Sequence, residues 1–169
     1  MLSLRPEFDH QVNFGNRKQR NMKRIGDYRR LLGVTKETSL KDLKTIYRDF
    51  MKDCHPDKFP DNEELKLQAE EKSKTIIEAY HFLVSIASET QSSLLATYTA
   101  TISSSNIANF EYEKLVLKII FIDGSVYEYF DVPRSIYIKL VNADSQGRFA
   151  RRHIYNSFLY RNITKATVV

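Results

Sequence analysis

His55 and Asp57 flank Pro56, with Lys58 next and a further proline at position 60. An imidazole and a carboxylate this close suit three kinds of chemistry: half of a metal site, an acid–base pair, or a set of polar groups shown to a partner. A structural zinc would need about four protein ligands. The chain has four histidines and one cysteine, scattered along its length. It has no glycine-rich phosphate loop and no nucleophile elbow. The residues therefore favour recognition over reaction. No catalytic residue, metal or cofactor is assigned, and the chain is expected not to be an enzyme.

The segments on either side decide how those groups are held. Pro56 and Pro60 cannot both lie inside a helix, because each removes a backbone donor and disfavours helical geometry in the residue before it. A helix must stop before His55, and the next cannot begin before about Asp61. Before the break, Leu43, Ile46, Tyr47, Phe50 and Cys54 recur at helical steps, and Lys41, Lys44, Arg48 and Lys52 form a stripe roughly opposite. Ser39 with Asp42 reads as the capping box that opens this helix. After the break, Leu65, Ala69, Ile76, Tyr80, Leu83 and Ala87 mark a second amphipathic helix, with Glu63 and Glu64 in its first turn. Two such helices make an antiparallel hairpin with the His-Pro-Asp loop at its tip. A short helix capped by Asp27 and ended by Gly33 should pack Tyr28, Leu31 and Leu32 across it. A merely structural turn would need no cationic stripe beside it.

These residues carry a resemblance. Asp27-Tyr28-Arg29-Arg30-Leu31-Leu32-Gly33-Val34, Ile46-Tyr47-Arg48, His55-Pro56-Asp57-Lys58 and Glu78-Ala79-Tyr80, in that order, resemble the J-domain of DnaJ-type co-chaperones over about residues 26–87. The resemblance implies a DnaK-type heat-shock chaperone as partner and stimulation of its ATP hydrolysis. It makes His55, Pro56 and Asp57 the signalling loop, and Lys41, Lys44, Arg48 and Lys52 the docking face. Asp49 and Asp53 depart from the basic pattern common on that helix.

Composition narrows the setting. A hydrophobic content of 42% suits a folded chain. No apolar run approaches the 18 or so residues of a membrane span, and no signal-peptide core stands at the N-terminus, so no membrane partner is expected. The single cysteine, Cys54, lies on an apolar stripe, which suits a reducing, cytoplasmic compartment. The net charge of +5 is concentrated at the two ends around a near-neutral middle. The run Arg17-Lys18-Gln19-Arg20-Asn21-Met22-Lys23-Arg24 reads as a solvated arm in preference to a nucleic-acid contact.

Residues 88–102 turn rich in Ser and Thr and read as a semi-ordered connection, with extension of the preceding helix as the alternative. From Leu115 the period falls to two, so a strand at 115–122, an Asp123-Gly124 turn and a returning strand at 125–130 are expected. A two-residue turn would place Lys118, Ile120, Tyr127 and Tyr129 on one sheet face. With Arg148, Arg151 and Arg152 they would make a stacking and phosphate-binding surface for RNA. Against this, a two-stranded sheet needs cover, and a helix starting near Pro133 that covered that face would make the tyrosines core. A closing strand is expected around Phe158, Tyr160 and Ile163.

Ser104-Ser105-Asn106-Ile107, Gly124, Tyr127-Glu128-Tyr129, Val132-Pro133, Ala143-Asp144-Ser145 and Gly147-Arg148-Phe149 resemble the KTSC domain over about residues 103–165. What that resemblance implies is a small module for which RNA binding is only a suggestion. The expected organisation is α+β: a basic arm (1–25), an all-α J-like unit (26–87), the connection (88–102) and a KTSC-like module (103–169). The module would be an adaptor for a protein client or target, or the RNA-binding part of a ribosome-associated protein.

Overall fold

The computed structural model of the chain describes residues 25–164. The helical unit begins with α1 (Ile25–Leu32), followed by α2 (Leu40–Asp53), a 3₁₀ turn at Pro56–Lys58, and α3 (Glu63–Ile86). Ser39 caps α2 by accepting a hydrogen bond from the Asp42 amide, as the capping box requires. Asn62 does the same for α3 through the Leu65 amide. Gly33 ends α1 at φ +65°, a conformation costly to any residue with a Cβ. Asp27 does not cap α1. The helix already includes Ile25 and Gly26, so Asp27 sits in the first turn and pairs with Arg30 at 3.4 Å. Tyr28, Leu32, Leu43, Cys54, Ile76, Ala79, Phe82, Leu83 and Ile86 form the core between these helices.

Residues 88–102, expected as a semi-ordered connection, belong to a 17-residue helix, α4 (Ser88–Ser104). It does not continue α3, because Ala87 between them is extended (φ −64°, ψ 146°) and turns the chain. Serine and threonine do not forbid a helix when one face is anchored, and here Tyr98, Thr101 and Ile102 are buried at helical spacing.

The second unit is an antiparallel meander of four strands, in the order β1 (Ile107–Glu113), β2 (Val116–Phe121), β3 (Val126–Tyr129) and β4 (Tyr160–Asn162). Helices α5 (Arg134–Val141) and α6 (Gln146–His153) lie between β3 and β4 in the chain. The whole is α+β. Leu117, Ile119, Phe121, Tyr127 and Tyr129 form the inner sheet face, under Tyr98 and Ile102 of α4, Leu140 of α5 and Ala150 of α6.

The register differs by one residue from a two-residue turn. Leu117 pairs with Tyr129 and Ile119 with Tyr127, so Phe121 faces Ser125 and the loop is Ile122-Asp123-Gly124. Gly124 takes φ +84° there, and Ile122 is left 68% exposed. A slip of one residue exchanges the two faces of a strand. Tyr127 and Tyr129, expected beside Lys118, therefore lie on the opposite face from it.

Candidate functional site

The tip of the α2–α3 hairpin is built by two terminations. Cys54 caps α2 by donating its amide to the Phe50 carbonyl, while its side chain is buried in the helical core. His55 is extended (φ −70°, ψ 130°) and caps the 3₁₀ turn, whose first residue is Pro56. The Lys58 amide donates to the His55 carbonyl at 3.1 Å, and the Phe59 amide to that of Pro56 at 3.0 Å. The loop is thus an ordered turn between fixed ends.

The three groups named from sequence are presented outward. The His55 side chain is 52% exposed and that of Asp57 is 86% exposed. Nδ1 of His55 lies 3.3 Å from the Asp57 amide and 3.3 Å from Asp57 Oδ2. A neutral Nδ1 accepts from the amide, whereas a protonated one pairs with the carboxylate, so one nitrogen orients the aspartate in either state. Lys58 reaches Asp53 at 3.8 Å across the loop base. Lys41, Lys44, Arg48 and Lys52 are all exposed along α2, opposite buried Leu43. Asp49 stands among them and pairs with Lys52 at 3.5 Å.

The interdomain packing lies at the other end of the hairpin. Phe130, just past β3, joins the core of the helical unit and meets Phe82 of α3. The Arg161 guanidinium lies 4.4 Å from the Phe82 ring centroid and pairs with Glu128 at 2.7 Å. Gln91 of α4 donates to the Tyr160 carbonyl. Phe82 lies 19 residues beyond the start of α3, so this junction is about 28 Å along the helix axis from the tip. The described part of the C-terminal unit therefore leaves the His-Pro-Asp loop open.

Phe130 was expected as the last residue of the returning strand and instead joins the helical core, and three residues in this arrangement were not singled out from sequence: Ser73, Glu89 and Arg161. Ser73 donates to the Cys54 carbonyl at 2.9 Å. Its position between Ala69 and Ile76 on the apolar stripe was a legible signal. Glu89 accepts from the Leu40 amide at 3.1 Å, at the start of α2. Hydrogen bonds from its own amide, from Leu40 and from Ser88 hold its carboxyl below the usual carboxylate range. Nothing in the local pattern marks that 49-residue separation.

The RNA face weighed from sequence is not assembled, and the reading set against it, tyrosines buried as core, is what the structure holds. Tyr127 and Tyr129 are 2% and 0% exposed, so neither ring offers a stacking surface. Lys118 is on the outer face, where it pairs with Glu111 at 3.1 Å. Arg148, Arg151 and Arg152 are exposed on α6, but Arg151 also donates to the Ile102 carbonyl at 3.4 Å, at the end of α4. The basic run at 17–24 lies outside the described residues. Between α4 and the segment before β4 opens a cleft of about 300 Å³, lined by Leu95, Tyr98, Tyr155, Asn156, Phe158 and Tyr160 among others. Among the described residues no helix is long and apolar enough to cross a membrane.

Comparison with known proteins matches this division of the chain. The DnaJ domain model matches residues 27–91, and the KTSC domain model matches residues 103–158. The chain is 47% identical over 57 residues to chaperone protein DnaJ of Thermoplasma volcanium, covering 34% of this chain and 15% of that protein. It is 44% identical over 57 residues to DnaJ homolog subfamily B member 6 of Gallus gallus, covering 34% and 17%. With chaperone protein DnaJ of Hydrogenobacter thermophilus it shares 42% identity over 59 residues, covering 35% and 15%. The chain thus spans less than a fifth of the length of each of these relatives. The chain carries a DnaJ domain over residues 27–91 and a KTSC domain over residues 103–158.

Proposed function

We propose that this chain is a co-chaperone: it docks on a DnaK-type heat-shock chaperone through His55, Pro56, Asp57 and the cationic face of α2, and stimulates that chaperone's ATP hydrolysis. The observation that carries the reading is the exposure of His55 and Asp57 on a turn that the other described residues leave uncovered. Lys41, Lys44, Arg48 and Lys52 supply a positive surface for an acidic partner, and such a surface raises the rate and selectivity of encounter more than the final affinity. The chain contributes no reacting group. It acts by binding one arrangement of the partner better than another, so that the hydrolysis-competent arrangement gains population.

The C-terminal unit serves as the adaptor that brings a client or target. The cleft beside Leu95, Tyr155 and Phe158 supports this, since it is open, aromatic-lined and far from the docking tip. The docking test is a steady-state ATPase measurement on a DnaK-type chaperone with the full chain. His55→Gln and Asp57→Asn are expected to keep the helical circular dichroism of the parent and to lose the stimulation. Full stimulation by both variants would remove the co-chaperone reading.

A further inference from the structure

Within the helices, hydroxyls mostly turn back on their own backbone. Thr45 donates to the Lys41 carbonyl, Thr75 to Glu71, Ser85 to Phe82, Ser93 to Thr90 and Ser104 to Ala100. Ser73 does not. Its hydroxyl crosses from α3 to the Cys54 carbonyl, 19 residues earlier, in a buried hydrogen bond of 2.9 Å. Ser73 is 6% exposed and Cys54 likewise 6%.

The carbonyl concerned has a particular place. Cys54 is the C-cap of α2, where backbone carbonyls lack partners within the helix, and a buried one must find a donor elsewhere. It is also the carbonyl of the peptide bond to His55. The Cys54 side chain fixes that residue from one side through the apolar core, and the Ser73 hydroxyl fixes its peptide group. From there the chain runs in two residues to Asp57. The apolar stripe around Ser73 would accept alanine without loss of hydrophobic periodicity, so packing alone does not call for a hydroxyl at this position.

We infer that Ser73 is a positioning residue for the His-Pro-Asp loop: its hydroxyl locks the peptide before His55, and so sets where His55 and Asp57 point. This deepens the co-chaperone reading and rests on it for its functional consequence, but not for its structural one. Without the hydroxyl, the loop should sample other orientations while the docking face of α2 is unchanged.

The test uses the full chain with Ser73→Ala and Ser73→Thr, the latter keeping the hydroxyl. Amide hydrogen exchange by NMR at Asp57, Lys58 and Phe59 is the readout that needs no partner. Ser73→Ala is expected to speed exchange at these amides at least tenfold relative to those of the α3 core, and Ser73→Thr to restore slow exchange. In the ATPase assay, Ser73→Ala should lower maximal stimulation about fivefold while leaving the half-saturating concentration within twofold. A general loss of stability would instead speed exchange throughout the core. Exchange at the loop amides that is unchanged in Ser73→Ala, or speeded only in step with the core, overturns the inference. If the parent chain fails to stimulate any DnaK-type ATPase, the co-chaperone reading falls while the exchange result still decides the role of Ser73.

Discussion

The ring of Phe130 meets that of Phe82 edge-on, with centroids 5.4 Å apart and planes at 65°. One ring belongs to the end of the β-hairpin and the other to α3, yet both are buried in the core of the helical unit. Arg161 of β4 extends the junction, lying against Phe82 and paired with Glu128 on the neighbouring strand. A guanidinium stacked on a ring and hydrogen-bonded to a half-buried carboxylate has both its flat face and its fork in use. Phe130→Ala should therefore cost about 3–5 kcal/mol, the usual range for deleting a buried phenylalanine. The loss should appear in the helical unit, although the substitution is made just past β3. Urea unfolding followed by far-ultraviolet circular dichroism, which is dominated by the helices, checks this. A helical midpoint equal to that of the parent would show that the two units do not share a core.

What could be read from sequence follows from how local each feature is. The tip was legible because prolines, a capping box and a 3.6-residue period act within a few residues of themselves. Ser39 and Gly33 behave as their types dictate, with partners three or so positions away. The hairpin register was not, because it depends on one residue of loop length. Ile122 joins the turn instead of the strand, and Tyr127 and Tyr129 change faces as a result. β1 escaped notice because its register shifts between Ile107 and Asn109, which breaks the alternation, and because Asn109 and Glu111 face outward. α4 was hidden by composition, since its anchors are only Tyr98, Thr101 and Ile102. Phe130 and Arg161 act between units, and no periodicity records that.

The buried tyrosines set a limit on stability in alkali. Burial raises the phenol of Tyr155 to about 12. It pushes those of Tyr98, Tyr129 and Tyr28 higher still, with the neighbouring Tyr98 adding to the effect at Tyr129 and Glu78 adding to it at Tyr28. In the unfolded chain each phenol ionises near pH 10. The native state thus holds its protons where the unfolded state releases them, so stability is full below about pH 10 and falls as pH rises through that value toward the raised folded-state values. Each such tyrosine contributes a slope of up to about 1.4 kcal/mol per pH unit. Urea midpoints measured between pH 7 and 11.5 should be flat at first and then fall steeply. Tyr129→Phe should make the fall shallower by about one tyrosine's worth. The same slope in Tyr129→Phe as in the parent would mean that this phenol ionises freely in the folded protein.

On α2, the acidic residues within the cationic stripe give the last expectation. Asp49 pairs with Lys52 at 3.5 Å, and both side chains are well exposed. An exposed pair of this kind is worth only about 0.2–1 kcal/mol, so its removal should leave the fold intact. Its effect on a docked acidic partner differs in sign. Asp49 cancels part of the field of Lys52 and, by its place in the helix, repels any carboxylate brought toward Arg48. Asp49→Asn should therefore tighten docking, lowering the half-saturating concentration in the ATPase assay about two- to threefold at low salt. Because such surface charges are screened over about 8 Å at physiological ionic strength, the gain should shrink as salt is added. Arg48→Ala should move the same quantity the other way and weaken its dependence on salt. If Asp49→Asn leaves docking unchanged at every ionic strength while Arg48→Ala weakens it, the partner approaches the stripe from a side that does not feel Asp49, and the docking face is narrower than the four cations drawn on α2.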